Sequence, residues 1–483
     1  MKIEFMESEI NIRNREGLIL GCFENSRTSH SISSFLRKVG ISAAQLKSLN
    51  FKGKEGDIAT LPTNKGNILI FTGLGKKSEI TEETVRKAVG KGIFEALNKK
   101  IEKVAITGFN YQKKGLKLTK ALAEGILLSN YRFNKYQKEK FVIEELTVYG
   151  EEKNRNEFEE GIILGNAANF TRNLVNEPGN IITPEVLAEK AKAISKKYNF
   201  KCKIFTEKEL EKKEMIGILT VGKGSKNPPR FIHTSYKPEN PKKKVVLIGK
   251  GVTFDSGGLN LKPDQYMKRM KMDKAGACAI LGIMKAIGER KPDIEIHALI
   301  PSVENMPDGK AYRPDDIIVY KNGVSVEIHN TDAEGRLILA DALIYGSKLQ
   351  PDIIIDLATL TGACVVALGH YTSGLFSTKP AIARQLQELS TKTGEKMWPL
   401  PFDIDLEEEI KGSQTEIQNV GKSRFGGAIT AALFLKKFVD ESIKTWIHID
   451  IAGPAFIEKD WKYYTLGATG QPVRTITEFI GTL

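Results

Sequence analysis

At 483 residues the chain is too long for one ordinary hydrophobic core, so more than one domain is expected. Hydrophobic residues at 41% and charged residues at 27% exclude an intrinsically disordered chain, and no apolar run approaches the ~20 residues a membrane span needs. The net charge of +13 raises a nucleic-acid partner, but lysine groups such as Lys113-Lys114 and Lys242-Lys243-Lys244 are scattered and not interleaved with aromatics. They read as solvated faces, and nucleic acid is a partner that is not favoured.

The opening stretch "MKIEFMESEINIRNREG" mixes charge with apolar residues and has no apolar core of a signal peptide, so a cytoplasmic protein is expected. Cys22, Cys202, Cys278 and Cys364 are far apart and form no Cys-x-x-Cys pair, which argues against a disulfide framework or a zinc knuckle. "NILIFTGLG" (67–75) reads as a buried strand ending in glycines. The helix after it has Thr81 as N-cap and acids in its first turn, and "KVAITGF" then returns as a strand. That βαβ rhythm predicts a parallel sheet.

Near residue 150 the polar run "YGEEKNRNEFEE" marks a domain edge. Ile163, Ala167, Phe170 and Leu174 then share one helix face, Pro178 stops that helix, and Thr183-Pro184 caps and opens the next. Beyond it, "KVVLIG", "IEIHALIP", "DIIIDLA" and "TWIHIDIAG" are continuous apolar strands separated by helical segments, the signature of a sheet covered on both faces. The expected architecture is α/β in two domains. A smaller N-terminal α/β domain spans 1–150, a linking helix spans 151–175, and a larger C-terminal α/β/α domain spans 176–483 with a mixed, mostly parallel central sheet.

In such a sheet the ligand crevice lies outside the carboxyl ends of the strands. Lys250 follows the strand "KVVLIG", Asp255 and Lys262 come soon after, and Asp273 stands just before the helix beginning near Ala275. Asn322-Gly323 signals a hairpin turn leading through "VSVEIHN" to "TDAEGRL". There Asp332 and Glu334 would point to the same side of an extended segment, with Arg336 opening the next helix. Carboxylates converging at strand ends repel unless cations lie between them, and a dinuclear centre relieves this. Taken singly, such acids are more often helix caps or solvated. His30, His233, His297, His329, His370 and His448 include no pair at ligand spacing, so a metal site here has to be rich in carboxylates.

"VTFDSGGLNLKP" (252–263) raises a rival in which Ser256 is a nucleophile. The residue two before Ser256 is Phe254, which breaks the Gly-x-Ser-x-Gly elbow, and Gly421-Lys422-Ser423 lacks the earlier glycine of a phosphate loop. Ser256 reads as a small loop residue, and Gly257-Gly258 lets the backbone pass close to a ligand.

With these residues assembled, the sequence resembles the cytosolic leucyl aminopeptidase family. "NTDAEGRL" (330–337) matches the family signature in full. "GKGVTFDSGGLNLKP", "MKMDKAGACA", "DLATLTGACVVALG", "GGAITAALFL", "HIDIAGPAF" and "GATGQPVRT" look like family segments in family order. The likeness covers roughly residues 160–483 well, and the first 150 resemble the family's more variable N-terminal domain. It implies a leucyl aminopeptidase, a dinuclear metal hydrolase that removes N-terminal leucine and other apolar residues from peptides. It also implies a homohexamer and two divalent ions per subunit, Mn or Zn, with bicarbonate as an additional ion. Lys250, Asp255, Asp273 and Glu334 match the ligands of one ion, and Asp255, Asp332 and Glu334 those of a second. Lys262 matches the lysine that polarises the scissile carbonyl, and Arg336 the arginine that holds bicarbonate. Met270, Asn330, Thr359, Leu360 and Gly362 match positions around the substrate. Lys274-Ala275 departs from the usual pair after the aspartate, which bears on packing alone. A dipeptidase or amidase of narrow specificity on the same site, or an added nucleic-acid-binding role, is the alternative.

Overall fold

The computed structural model describes residues 1–13, 15–24, 36–37, 41–138 and 141–483, so His30 lies outside the described residues. Contacts group the chain into two units. The first is Met1–Asn169 with the short segments Lys392–Gly394 and Glu458–Leu466, and the second is Phe170–Thr391, Glu395–Ile457 and Gly467–Leu483.

The first unit is built on a six-stranded sheet among the described residues. Its strands are β1 (Lys2–Met6), β2 (Gly17–Cys22), β3 (Ile58–Pro62), β4 (Ile68–Gly73), β5 (Lys103–Thr107) and β6 (Glu145–Tyr149), in the order β1-β6-β5-β2-β4-β3. All neighbours are parallel except β3 with β4. The βαβ reading is present with one change, because β2 lies between β4 and β5. Helix α1 (Glu82–Asn98) connects them, and Thr81 caps it by accepting from Thr84 N at 3.1 Å. α2 (Leu118–Ser129) follows β5 and is buried along its whole length.

The helix α3 (Arg155–Asn176) carries the chain into the second unit. Thr183 then accepts from Val186 N and Pro184 is the first residue of α4 (Pro184–Tyr198). The large sheet uses β7 (Lys201–Phe205), β8 (Arg230–Tyr236), β9 (Lys243–Gly249), β10 (Gly251–Asp255) and β11 (Ile294–Asn305). The small β12 (Ile317–Val319) and β13 (Ser325–Glu327) form the hairpin that Asn322-Gly323 signals. The large sheet resumes with β14 (Ile353–Ala358), β15 (Ser373–Ser377), β16 (Met397–Pro399) and β18 (Trp446–Asp450), while β17 (Ile417–Gln418) joins β13. The order is β16-β15-β18-β14-β9-β11-β8-β7, with β10 beside β11. β18, β14, β9 and β11 run parallel, whereas β15 and β8 are antiparallel to their inner neighbours.

Helices cover both faces of this sheet. In β9, Val246 and Ile248 pack in one cluster with Leu337, Leu339 and Leu343 of helix α6 (Glu334–Ser347). Gly249 points the other way, where a Cβ would lie 2.7 Å from Ala277 Cα of helix α5 (Ala275–Arg290). No described helix is long and apolar enough to cross a membrane.

The strand histidines are hydrogen-bonded in the fold. His448 Nδ1 lies 2.5 Å from Asp356 Oδ1, and Trp446 Nε1 donates to the other oxygen of that carboxylate at 2.7 Å. His233 Nε2 pairs with His297 Nδ1 at 2.8 Å, and His297 Nε2 with Glu295 Oε1 at 2.9 Å. Burial, with repulsion from His297, pushes the His233 imidazole down to about 4 from its ordinary 6.5. The folded chain therefore takes up a proton here less readily than the unfolded one. The stability this site contributes is complete above pH ~6.5 and falls as pH drops toward ~4. The thermal midpoint of His233→Gln, measured against the parent from pH 7.5 to 4, should decline less steeply in that window.

Candidate active site

Four strands end at the same place. Lys250 follows β9, Asp255 closes β10, Asn305 closes β11, and Thr359 and Leu360 follow β14. Asp273 reaches them from a short 3-10 turn, Met270–Lys274, that leads into α5. Glu334 is the first residue of α6. The expected extended segment through Asp332 does not form. Asn330 Oδ1 accepts from Asp332 N at 2.8 Å and Asn330 O accepts from Ala333 N at 3.2 Å, which folds residues 330–333 into a turn. The helix accordingly begins at Glu334, ahead of Arg336.

The charges interlock. Lys250 Nζ lies 2.8 Å from both Asp273 Oδ1 and Glu334 Oε1 and donates to Thr359 O at 2.8 Å. Lys262 Nζ lies 2.9 Å from Asp255 Oδ2 and contacts Asp332 Oδ1. Thr359 Oγ1 donates to Asp273 Oδ1 at 2.6 Å. Oxygens of Asp255, Asp273 and Glu334 all lie within 4.8 Å of one another. Gly335 makes the Lys250 position feasible, since a Cβ there would sit 2.4 Å from Lys250 Cε. The turn at Gly257-Gly258 uses φ values of +90° and +66°, which side-chain-bearing residues rarely adopt.

Burial raises Asp255, Asp273, Asp332 and Glu334 above the ordinary carboxylate range, and mutual repulsion adds to it, from Glu334 on Asp255 and from Asp255 on Asp332. Burial alone would lower Lys250 and Lys262. The facing carboxylates outweigh it, Asp273 foremost for Lys250 and Asp255 for Lys262, so both ammonium groups are raised. Among the described residues Asp273 Oδ2 is buried without a hydrogen-bond partner. Hard oxygen donors crowded together, with a buried acceptor unfilled, suit divalent cations.

Arg336 stands apart from this contact set. Nη1 donates to Asn419 O at 2.8 Å, its guanidinium carbon lies 5.9 Å from the Phe434 ring centroid, and Nε is buried without a partner among the described residues. Burial pushes the guanidinium down to about 10. An unfilled buried donor of this kind fits a small anion. Ser256 Oγ donates to Asn305 O at 2.7 Å and accepts from Gly258 N at 3.2 Å, so its hydroxyl is spent on the loop.

The comparisons with known proteins agree with this geometry. The catalytic-domain pattern of the cytosol aminopeptidase family matches residues 169–477, and the N-terminal-domain pattern of the same family matches residues 19–140. The chain belongs to the cytosol aminopeptidase family. It is 49% identical to a probable cytosol aminopeptidase of Persephonella marina, covering 97% of each chain. It is 51% identical to another of Aquifex aeolicus over 89% of this chain and 88% of that one. Among solved structures it is similar to a variant of tomato leucine aminopeptidase, with a TM-score of 0.88, 32% identity, and coverage of 100% of this chain and 97% of that one. It is also similar to the bottromycin maturation enzyme BotP in complex with Mn, with a TM-score of 0.87, 30% identity, and coverage of 97% and 99%. As a member of this metal-dependent family the chain is a peptidase, a hydrolase that acts at peptide N-termini.

Direct contacts join Lys250, Asp273, Glu334 and Thr359 in one set and Lys262, Asp255 and Asp332 in another, the Asp255 carboxylate lies within 4.8 Å of those of Asp273 and Glu334, and Asn330 shapes the turn that carries Asp332. Leu360 N donates to Asp450 Oδ1 at 3.1 Å, and Gly362 opens helix α7 (Gly362–Leu368). Met270 and Gly362 make no hydrogen bond to the cluster among the described residues.

Asn305, Asn419 and Asp450 were missed in the sequence reading. Asn419 Oδ1 accepts from His329 N at 2.8 Å and its Nδ2 donates to Asn330 O at 2.7 Å, so it holds the 330 turn and Arg336 together. It lies in "EIQNV", a stretch without any motif. Asp450 closes the strand "TWIHID", and the strand-end rule that found Lys250 would have found it. Gly335→Ala should displace Lys250 from Asp273 and Glu334, and Mn²⁺ titration of the metal-free protein should show binding weakened by at least ~10-fold, the scale seen when groups around a metal site are disturbed.

Proposed function

We propose that the chain removes N-terminal residues, leucine and other apolar ones foremost, from peptides with two divalent ions, Mn or Zn, held by Lys250, Asp255, Asp273, Asp332 and Glu334. The observation that carries this reading is the convergence of buried carboxylate oxygens within 4.8 Å at one end of the sheet. Lys250, Asp255, Asp273 and Glu334 would hold one ion, and Asp255, Asp332 and Glu334 the other. When bound, the ions supply Lewis acidity, which generates a nucleophile from water at neutral pH and polarises a carbonyl.

The chain's own residues do the rest. Lys262, a raised and therefore charged ammonium, is suited to stabilising negative charge that develops on the scissile carbonyl oxygen. Lys250 has to release its proton to serve as a ligand, which a neighbouring divalent cation favours. Arg336, with its unfilled Nε, would hold a small anion such as bicarbonate, which would supply a proton acceptor. Met270, Asn330, Thr359, Leu360 and Gly362 would border the substrate; Thr359 bonds Asp273 and Leu360 N bonds Asp450.

Hydrolysis of leucine p-nitroanilide should vanish after chelation and return with manganese or zinc. At saturating metal, Asp255→Ala should lower kcat by at least ~10²-fold, since even changes in groups around metal ligands reach that scale. Ser256→Ala should keep most of the activity. The reverse result would overturn the metal reading, and hydrolysis confined to Cys-Gly or amide substrates would move the assignment to a narrow dipeptidase or amidase.

The same reading includes a cytoplasmic homohexamer. Analytical ultracentrifugation should show a six-chain species, and a stable monomer at micromolar concentration would overturn that assembly.

A further inference from the structure

Asp255 is oriented by more than charge. Its Oδ2 faces Lys262 Nζ at 2.9 Å, whereas its Oδ1 accepts from Gly257 N at 2.9 Å and from Asn305 Nδ2 at 2.9 Å. Asn305, the buried last residue of β11, also donates from the same amide nitrogen to Thr331 O at 3.0 Å. Both partners are pure acceptors, so the amide orientation is settled by chemistry: turned over, its oxygen would face two oxygens. The main-chain carbonyl of Asn305 accepts from Ser256 N at 3.0 Å and from Ser256 Oγ at 2.7 Å.

One residue thus joins two loops far apart in sequence, each carrying a proposed ligand: Asp255 on the first and Asp332 on the second. Thr331 reinforces the joint. Its Oγ1 donates to Gly257 O at 2.6 Å, and its carbonyl accepts from Tyr312 Oη at 2.7 Å. Gly258 leaves the room this needs, because a Cβ there would lie 2.9 Å from Asn305 Oδ1.

We infer that Asn305 is a positioning residue for the metal centre: its amide fixes the plane of the Asp255 carboxylate and sets the spacing between the Asp255 and Asp332 loops. This rests on the metal reading of the site. Asn305 itself supplies no ligand. With Gly257 N it occupies Oδ1 and leaves Oδ2 to Lys262; without it Oδ1 keeps one donor in place of two and Thr331 O loses a buried donor.

Calorimetric titration of Mn²⁺ into metal-free parent and Asn305→Ala protein tests this, with the thermal midpoint of each metal-free protein recorded alongside. The variant should bind Mn²⁺ ~10- to 100-fold more weakly, the range found when a group that orients a metal ligand is removed. A merely structural role would lower the metal-free midpoint and leave the affinity unchanged, and that result overturns the inference. If Asn305→Ala does not fold, Asn305→Asp decides, because it keeps the side chain's shape and puts an acceptor where the nitrogen donates to Asp255 Oδ1 and Thr331 O. Weaker Mn²⁺ binding is then expected, and unchanged binding overturns the inference. A parent protein that binds neither Mn²⁺ nor Zn²⁺ overturns the metal reading and this inference with it. Parent binding equalled by the variant overturns this inference alone.

Discussion

Four carboxylates and two ammonium groups meet in the second unit, with Lys250, Asp255, Asp273 and Glu334 buried and Lys262 and Asp332 partly exposed, and the rest of that unit is arranged around keeping them there. Like charges at such separations in a low dielectric repel by more than a surface ion pair ever returns. Burial by itself already pushes Asp255, Asp273 and Glu334 toward protonation. Lys250 and Lys262 divide the work of holding them, each bridging two carboxylates: Asp273 and Glu334 in one case, Asp255 and Asp332 in the other. Lys250 could not do this from a mobile loop, because a long side chain loses too much rotamer freedom when it has to be ordered by the contact itself.

The sheet removes most of that cost in advance. β9, β14 and β18 are parallel and hydrogen-bonded side by side, so their ends are level, and whatever follows each strand enters the same space. The backbone of Lys250 is fixed on both sides, with its N–H on Leu357 O at 3.0 Å and its carbonyl accepting from Ala277 N at 2.9 Å. Helix α6 then delivers Glu334 from its first turn, where the helix dipole favours a carboxylate. The antiparallel strands β8 and β15 extend the sheet outside this central group and supply none of the charged residues at its centre.

How much of this was legible in the sequence depended on whether the cause was local. Runs such as "DIIIDLA" announce a strand buried on both faces, and β14 is buried at every position. Thr81 and Thr183 mark helix starts because an N-cap is a contact between near neighbours. Strand ends located Lys250 and Asp255 for the same reason. Asp332 and Glu334 were placed at one site, but on an extended segment. The Asx turn made by Asn330 competes locally with strand geometry, and alternation alone does not register it. The insertion of β2 between β4 and β5 could not be read at all, since strand order is decided by packing between distant segments.

Lys274 shows where a local reading falls short in a different way. As a departure from the family's usual pair it looked like a matter of packing. In the structure its side chain is fully buried, and its ammonium donates to three main-chain carbonyls: Glu177 at 2.9 Å, Val175 at 3.4 Å and Lys271 at 2.5 Å. Burial pushes it down to about 8, so this is a cation kept where a charge is costly. Lys271 adds a bond to Asn176 O at 2.6 Å. Two lysines of the turn that carries Asp273 therefore satisfy the last carbonyls of α3 and the segment after it, groups that a helix cannot satisfy from within. A shorter or apolar residue at 274 would leave those acceptors to other donors and loosen the turn from the helix end. The residue beside a proposed ligand thus acts on the ligand's position through hydrogen bonds to a segment about a hundred residues earlier in the chain.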